Sequence, residues 1–136
     1  MDRHSVKQRS YNMSQVKSEN TKPELYVFAA LKKLNLKFKK HYDVLGKPDI
    51  AFPKLKIAVF IDGEFWHGRR FKKERETYKQ FWIKKIEGNI KRDRKNRALL
   101  KKEGWKVIRI WDMDLKKNPE KEMAKIISTV NEATLN

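Results

Sequence analysis

Apolar residues at Leu25, Phe28, Ala29, Leu31 and Leu34 recur at helical spacing and predict an amphipathic helix that opens at "TKPEL". Thr21 reads as its N-cap and Glu24, three residues on, as the reciprocal half of a capping box. Pro23 falls in the first turn, where a missing N–H costs nothing. The pattern then changes to short extended runs: "KFKKHYDV", a turn at "LGKP", "DIAF", a turn at "PKLK", and "IAVFID". Ile57 to Ile61 are apolar on both parities, which predicts a strand covered on both faces. Thr77 with Gln80 suggests a second capping box, and helical spacing continues from Tyr78 to Glu103, where Gly104 supplies a stop. Trp82, Ile86, Ile90, Asp93, Arg97 and Leu100 share one stripe of that helix, so two polar residues interrupt an inward face. "WKVIRIWDM" predicts a buried strand. "NPEKEMAKIISTV" predicts a last helix, with Asn118 as cap and Pro119 at its first position.

The order α, β, β, β, α, β, α predicts an α/β fold, a mixed sheet flanked by helices, with the long helix crossing over between two strands. A chain of 136 residues fits one core. We therefore expect a single domain over residues 21–136, preceded by a polar arm over residues 1–20.

Composition narrows the partners. Thirty-four Lys and Arg against seventeen Asp and Glu give a formal charge of +17, and residues 69 to 106 alone hold sixteen basic and five acidic side chains. Such clustering favours a polyanion, and nucleic acid leads. A generic solvated lysine surface explains the total less well than the clustering. A membrane partner is not expected, because the apolar helix faces are needed for the core. With no cysteine, disulfides and thiolate zinc sites are excluded. The absence of a signal peptide or spanning segment leads us to expect a cytoplasmic protein.

The stretch "VFIDGEFWHGRRF" concentrates the candidate chemistry. Metal-assisted phosphodiester hydrolysis needs hard oxygen ligands and a group that moves a proton. Asp49 heads "DIAF" and Asp62 ends the next strand, so a hairpin through "PKLK" would bring both carboxylates to one rim of the sheet. Taken singly, each is explained by its turn, where Asp bonds its own backbone. Together, and beside His67, whose imidazole suits a general base or acid, they point to a metal site. Glu24 is fully explained as a cap, and could also bond a metal-bound water. Phe65 and Trp66 could close the core end or wedge into a base stack, with Trp82 joining them. Arg69 and Arg70 beside the site, and Lys91, Arg92 and Arg94 in "KRDRKNR", suit phosphates.

The pieces "RSYNMSQVKSENTKPEL", "GKPDIAF", "DGEFWHG", "FWIKKIEGNIKRDRKN" and "LKKEGWKVIRIWD" occur in that order. On them the chain resembles the very-short-patch repair (Vsr) DNA mismatch endonucleases over nearly its whole length. The resemblance implies a restriction-endonuclease-like fold and Mg²⁺-dependent nicking of one strand beside a T:G mismatch, with Mn²⁺ able to substitute. It makes Asp49 a metal-binding aspartate, the backbone carbonyl of Ile61 a further ligand and His67 a catalytic histidine. Phe65, Trp66 and Trp82 become intercalators, residues 1–20 a DNA-wrapping arm, and Glu24 and Asp93 matching acids, Asp93 with a structural role. The chain departs from the family where it has Asp62 and Glu64 around Gly63 and "GRRF" and Met113 at zinc-ligand positions, so no structural zinc is expected. Asp62 either ligates metal or only stands in for the family histidine. The expected protein is a monomeric endonuclease. A homing-type or non-mismatch-specific Vsr-like nuclease is the near alternative, and a DNA-binding module with an inactive nuclease fold is the alternative of another class.

Overall fold

The computed structural model describes residues 21–135, so the N-terminal arm lies outside the described residues. Helix α1 (Lys22–Lys33) begins as its sequence predicts: the Thr21 hydroxyl accepts from the Glu24 N–H, and the Glu24 carboxylate accepts from the Thr21 N–H. Its buried face is set one position away from the predicted stripe. Glu24, Val27, Phe28 and Leu31 point inward, while Leu25 and Leu34 are half exposed. Burying Glu24 is the informative departure, because a carboxylate seldom goes inside without a partner or a purpose.

Four strands follow: β1 (Lys39–Lys40), β2 (Ile50–Phe52), β3 (Ile57–Asp62) and β4 (Lys106–Trp111). They lie in the order β1-β2-β3-β4, antiparallel at the first two junctions and parallel at the third. The predicted first strand is cut to two residues, since His41 turns the chain with a φ of 45°. A single 3-10 turn (Pro53–Leu55) closes the β2–β3 hairpin, with Lys56 left-handed behind it. All six residues of β3 are buried, as the double-parity apolar run requires.

After a short helix α2 (Phe71–Glu74) and a 3-10 turn (Arg75–Thr77), helix α3 (Gln80–Lys102) carries the chain back to β4. It starts later than predicted. The Thr77 hydroxyl donates to the Glu74 carbonyl instead of capping, so the expected Thr77–Gln80 box does not form and Lys79 is the N-cap without a side-chain bond. Strand β4 is an edge strand, and only Ile110 in it is fully buried, where the sequence predicted burial throughout. A short helix α4 (Asp112–Lys117), absent from the sequence reading, precedes α5 (Pro119–Leu135), whose cap Asn118 accepts from the Lys121 N–H.

Alternation along β3 divides the interior. Ile57, Val59 and Ile61 pack with Val27, Phe28 and Leu31 of α1 and with Met123, Ile126 and Val130 of α5. Ala58 and Phe60 face Leu100 of α3 on the other side. By the same alternation Asp62 falls on the α3 side. This is a restriction-endonuclease-like α/β domain with a four-stranded open mixed sheet. Among the described residues no helix is long and apolar enough to cross a membrane.

Candidate active site

The β2–β3 register, Ile50 opposite Val59, carries Asp49 to the rim where β3 ends. There its Oδ2 accepts from the Ile61 backbone N–H at 2.6 Å. The buried Glu24, fixed by the first turn of α1, meets it from the side, and His41 Nε2 stands 3.3 Å from Glu24 Oε2. Donor atoms of Glu24, His41 and Asp49 all lie within 4.8 Å of one another. Burial, then a hydrogen bond with the Glu24 carboxyl, pushes Asp49 up to about 8, against the Ile61 N–H that favours its charged form. A cation beside Asp49 would favour its ionised form instead.

On the α3 side, donor atoms of Asp62, His67 and Asp93 form a second group, also within 4.8 Å of one another. Its electrostatics are opposite. Arg97 clasps both oxygens of Asp62, at 2.7 and 2.9 Å, and Arg109 Nε donates to it at 2.6 Å. Burial alone would raise the Asp62 carboxyl, but Arg97, His67 and Arg109 together hold it below the usual carboxylate range. His67 Nδ1 bonds Asp93 Oδ2, and its Nε2 lies 3.5 Å from Asp62 Oδ1. Asp93 also faces Arg109 Nη2 at 3.4 Å and Arg97 Nη2 at 3.8 Å.

His67 reaches this position because its loop, residues 63–70, lies flat on α3. The Asn89 amide donates to the Trp66 carbonyl at 2.9 Å, and the His67 N–H bonds the Gly63 carbonyl at 3.1 Å. Gly68 is required here. Its φ is +67°, and a Cβ would stand 2.5 Å from Ile90 Cδ1.

Asp49 and Asp62 do line one cleft of about 570 Å³, as the hairpin argument required. Their carboxylates fall in separate groups, and Asp62 has guanidinium partners on both oxygens. The partner that Asp49 finds instead is Glu24. Ile61 lines the same cleft.

Phe65, Trp66 and Trp82 come together at one end of the cleft region, with ring centroids 5.1 to 5.9 Å apart in edge-to-face arrangements. Phe81, 64% exposed, stacks its edge on Trp82, and Lys85 Nζ stands over both Trp66 and Phe81. Lys91, Arg92 and Arg94 are exposed on α3, and Arg70 is exposed beside the loop. Arg69 bonds Glu64 and Asp114, and Arg70 Nε lies 3.7 Å from Glu64 Oε2.

The sequence reading missed three members of the site. Arg97 had a signal, since with Asp93 it interrupts the inward stripe of α3. Arg109 is a lone charge inside "VIRIW", a pattern that an edge strand also explains. His41 sits in a lysine-rich stretch with no distinguishing feature.

A restriction-endonuclease-like sheet whose rim gathers two carboxylate–histidine groups beside a basic helix defines a candidate nuclease. Comparison with known proteins is specific on this point. The family model for "DNA mismatch endonuclease Vsr" matches residues 1–73. The chain is 46% identical to "Type II nicking enzyme V.NmeDIP" of Neisseria meningitidis serogroup C, over 87% of this chain and 82% of that protein. It is 41% identical to "Type II nicking enzyme V.HpaIIP" of Haemophilus parainfluenzae, over 97% of each. To "DNA mismatch endonuclease Vsr" of Escherichia coli K12 it is 30% identical, over 85% of this chain and 76% of that protein. The chain belongs to the Vsr family of DNA endonucleases.

Proposed function

We propose that the protein nicks one strand of double-stranded DNA at or beside a T:G mismatch, as in very-short-patch-type repair. It uses Mg²⁺, with Mn²⁺ able to substitute, and works as a cytoplasmic monomer. The observation that carries the reading is the meeting, in one cleft, of the Glu24–Asp49 acid pair with the His67–Asp93 dyad.

The Glu24–Asp49 pair fits a divalent cation. Its donors are hard oxygens, and the raised Asp49 carboxyl marks a site where negative charge lacks full compensation. Glu24 and Asp49 would hold the ion, with His41 and the Ile61 carbonyl as further donors. A divalent ion held there supplies Lewis acidity to the scissile phosphate. His67 accepts or delivers a proton at Nε2, its ring oriented by the bond from Nδ1 to Asp93. Asp62 keeps Arg97 and Arg109 beside this dyad rather than serving as a ligand. Arg70, Lys91, Arg92 and Arg94 meet backbone phosphates, and Phe65, Trp66 and Trp82 press on the base stack.

Supercoiled plasmid, a T:G duplex and its matched counterpart, each incubated with protein and Mg²⁺, test the reading. The T:G strand should be cut in preference. Equal cutting of the matched duplex removes the mismatch assignment, and no cutting with any divalent metal removes the enzymatic one.

A further inference from the structure

The loop that presents Phe65, Trp66 and His67 is tied to α4 by contacts from Arg69. Arg69 Nη1 donates to Glu64 Oε1 at 2.8 Å and to Asp114 Oδ1 at 2.7 Å, the second contact spanning 45 residues of sequence. The guanidinium also lies over the Trp111 ring, 5.3 Å from its centroid. Asp112 stands beside the same loop, its Oδ2 3.7 Å from where a Cβ on Gly63 would lie. The electrostatics agree from both sides. Asp114, then Glu64, favours the charged form of Arg69, and Arg69 in turn holds the Asp114 carboxyl below its usual range.

We propose that Arg69 is a positioning residue, a clasp between the Glu64 end of the loop and α4 that sets where Phe65, Trp66 and His67 stand, and not a phosphate contact. An exposed ion pair adds little global stability. Its value here is geometric, because one planar cation joins two carboxylates from separate elements and fixes both ends of a loop that must place an imidazole. A phosphate-binding arginine would be expected to reach outward. This one is turned onto acids that DNA would repel.

The inference rests on the nuclease reading, and the test separates the two. Single-turnover nicking, DNA affinity and urea unfolding are measured for Arg69→Ala, Asp114→Asn, the double variant and the charge exchange Arg69→Asp with Asp114→Arg. Each single variant should nick about ten- to a hundredfold more slowly, up to the loss expected when a reacting group is misplaced by about 1 Å. Affinity and unfolding midpoint should stay close to wild type, the double variant should be no slower than the worse single, and the exchange should recover most of the rate. The proposal is overturned if Arg69→Ala weakens DNA binding while Asp114→Asn tightens it, or if the two effects add. Should the wild type itself fail to nick, the nuclease reading falls, and amide hydrogen exchange judges the clasp alone. Faster exchange at residues 63–70 in both single variants supports it, and unchanged exchange there overturns it.

Discussion

Two acidic groups stand on one rim, each with two carboxylates and one histidine, yet they differ in what neutralises them. Around Asp62 and Asp93 the chain supplies two arginines, and Asp62 is held ionised. Around Asp49 it supplies another acid, and Asp49 retains its proton up to about 8. The lesson is that residue type and spacing mark where ligands gather, while the guanidinium partners decide which group is left wanting a cation. The Asp62–Asp93 group is internally paired, and the Glu24–Asp49 group is the metal-binding candidate.

Breaking each side should give different failures. Asp49→Asn is expected to cause the largest loss, a nicking rate lower by about a thousandfold or more, since the cation's stabilisation of the transition state amounts to several kcal/mol. DNA affinity measured by anisotropy should persist, because phosphate contacts lie elsewhere. His67→Ala comes next, with a rate loss of about a hundredfold or more and bound cation retained, as expected when a proton-transfer group is removed. A His67→Ala enzyme as fast as wild type would remove the imidazole from the mechanism.

On stability the two sides should diverge in sign. Asp62→Ala removes the anion bonded to the mostly buried Arg97 and the exposed Arg109, leaving them only the more distant Asp93, at a cost of about 2 kcal/mol in urea unfolding. Asp49→Asn should instead stabilise the cation-free protein above pH 7, by removing a carboxyl that resists ionising.

A pH trend follows from the same two groups. Because the Asp49 pKa is higher folded than unfolded, the native state holds the extra proton between about 4 and about 8, and stability conferred at low pH is lost as pH rises through that window. Asp62, depressed in the folded state, contributes stability above its unfolded value and loses it only as pH falls below the normal carboxylate range. Adding Mn²⁺ should flatten the upper slope in thermal unfolding. A slope that persists in Asp49→Asn would assign it to another group.

Local signals made the strand β3, the capping box at Thr21 and the crossover helix legible in the sequence. Each rests on residues within one turn or one ladder. The hairpin argument brought Asp49 and Asp62 to one cleft for the same reason. What it could not supply was the long-range part: Arg97 and Arg109 reach Asp62 from 35 and 47 residues away, and nothing in "IAVFID" announces them. Glu24 illustrates the same limit. Its cap role was visible from Thr21, but its burial against Asp49 depends on how α1 lies on the sheet rim. The Thr77 box failed because a nearer acceptor, the Glu74 carbonyl, takes the hydroxyl.

Anomalous scattering from crystals soaked in Mn²⁺ tests the central division most directly. A peak at coordination distance, about 2.0–2.4 Å, from the carboxylates of Asp49 and Glu24, with Asp62 still gripped by Arg97 and Arg109, is the result expected. A peak coordinated by Asp62 and Asp93, with none at Asp49, would contradict the account.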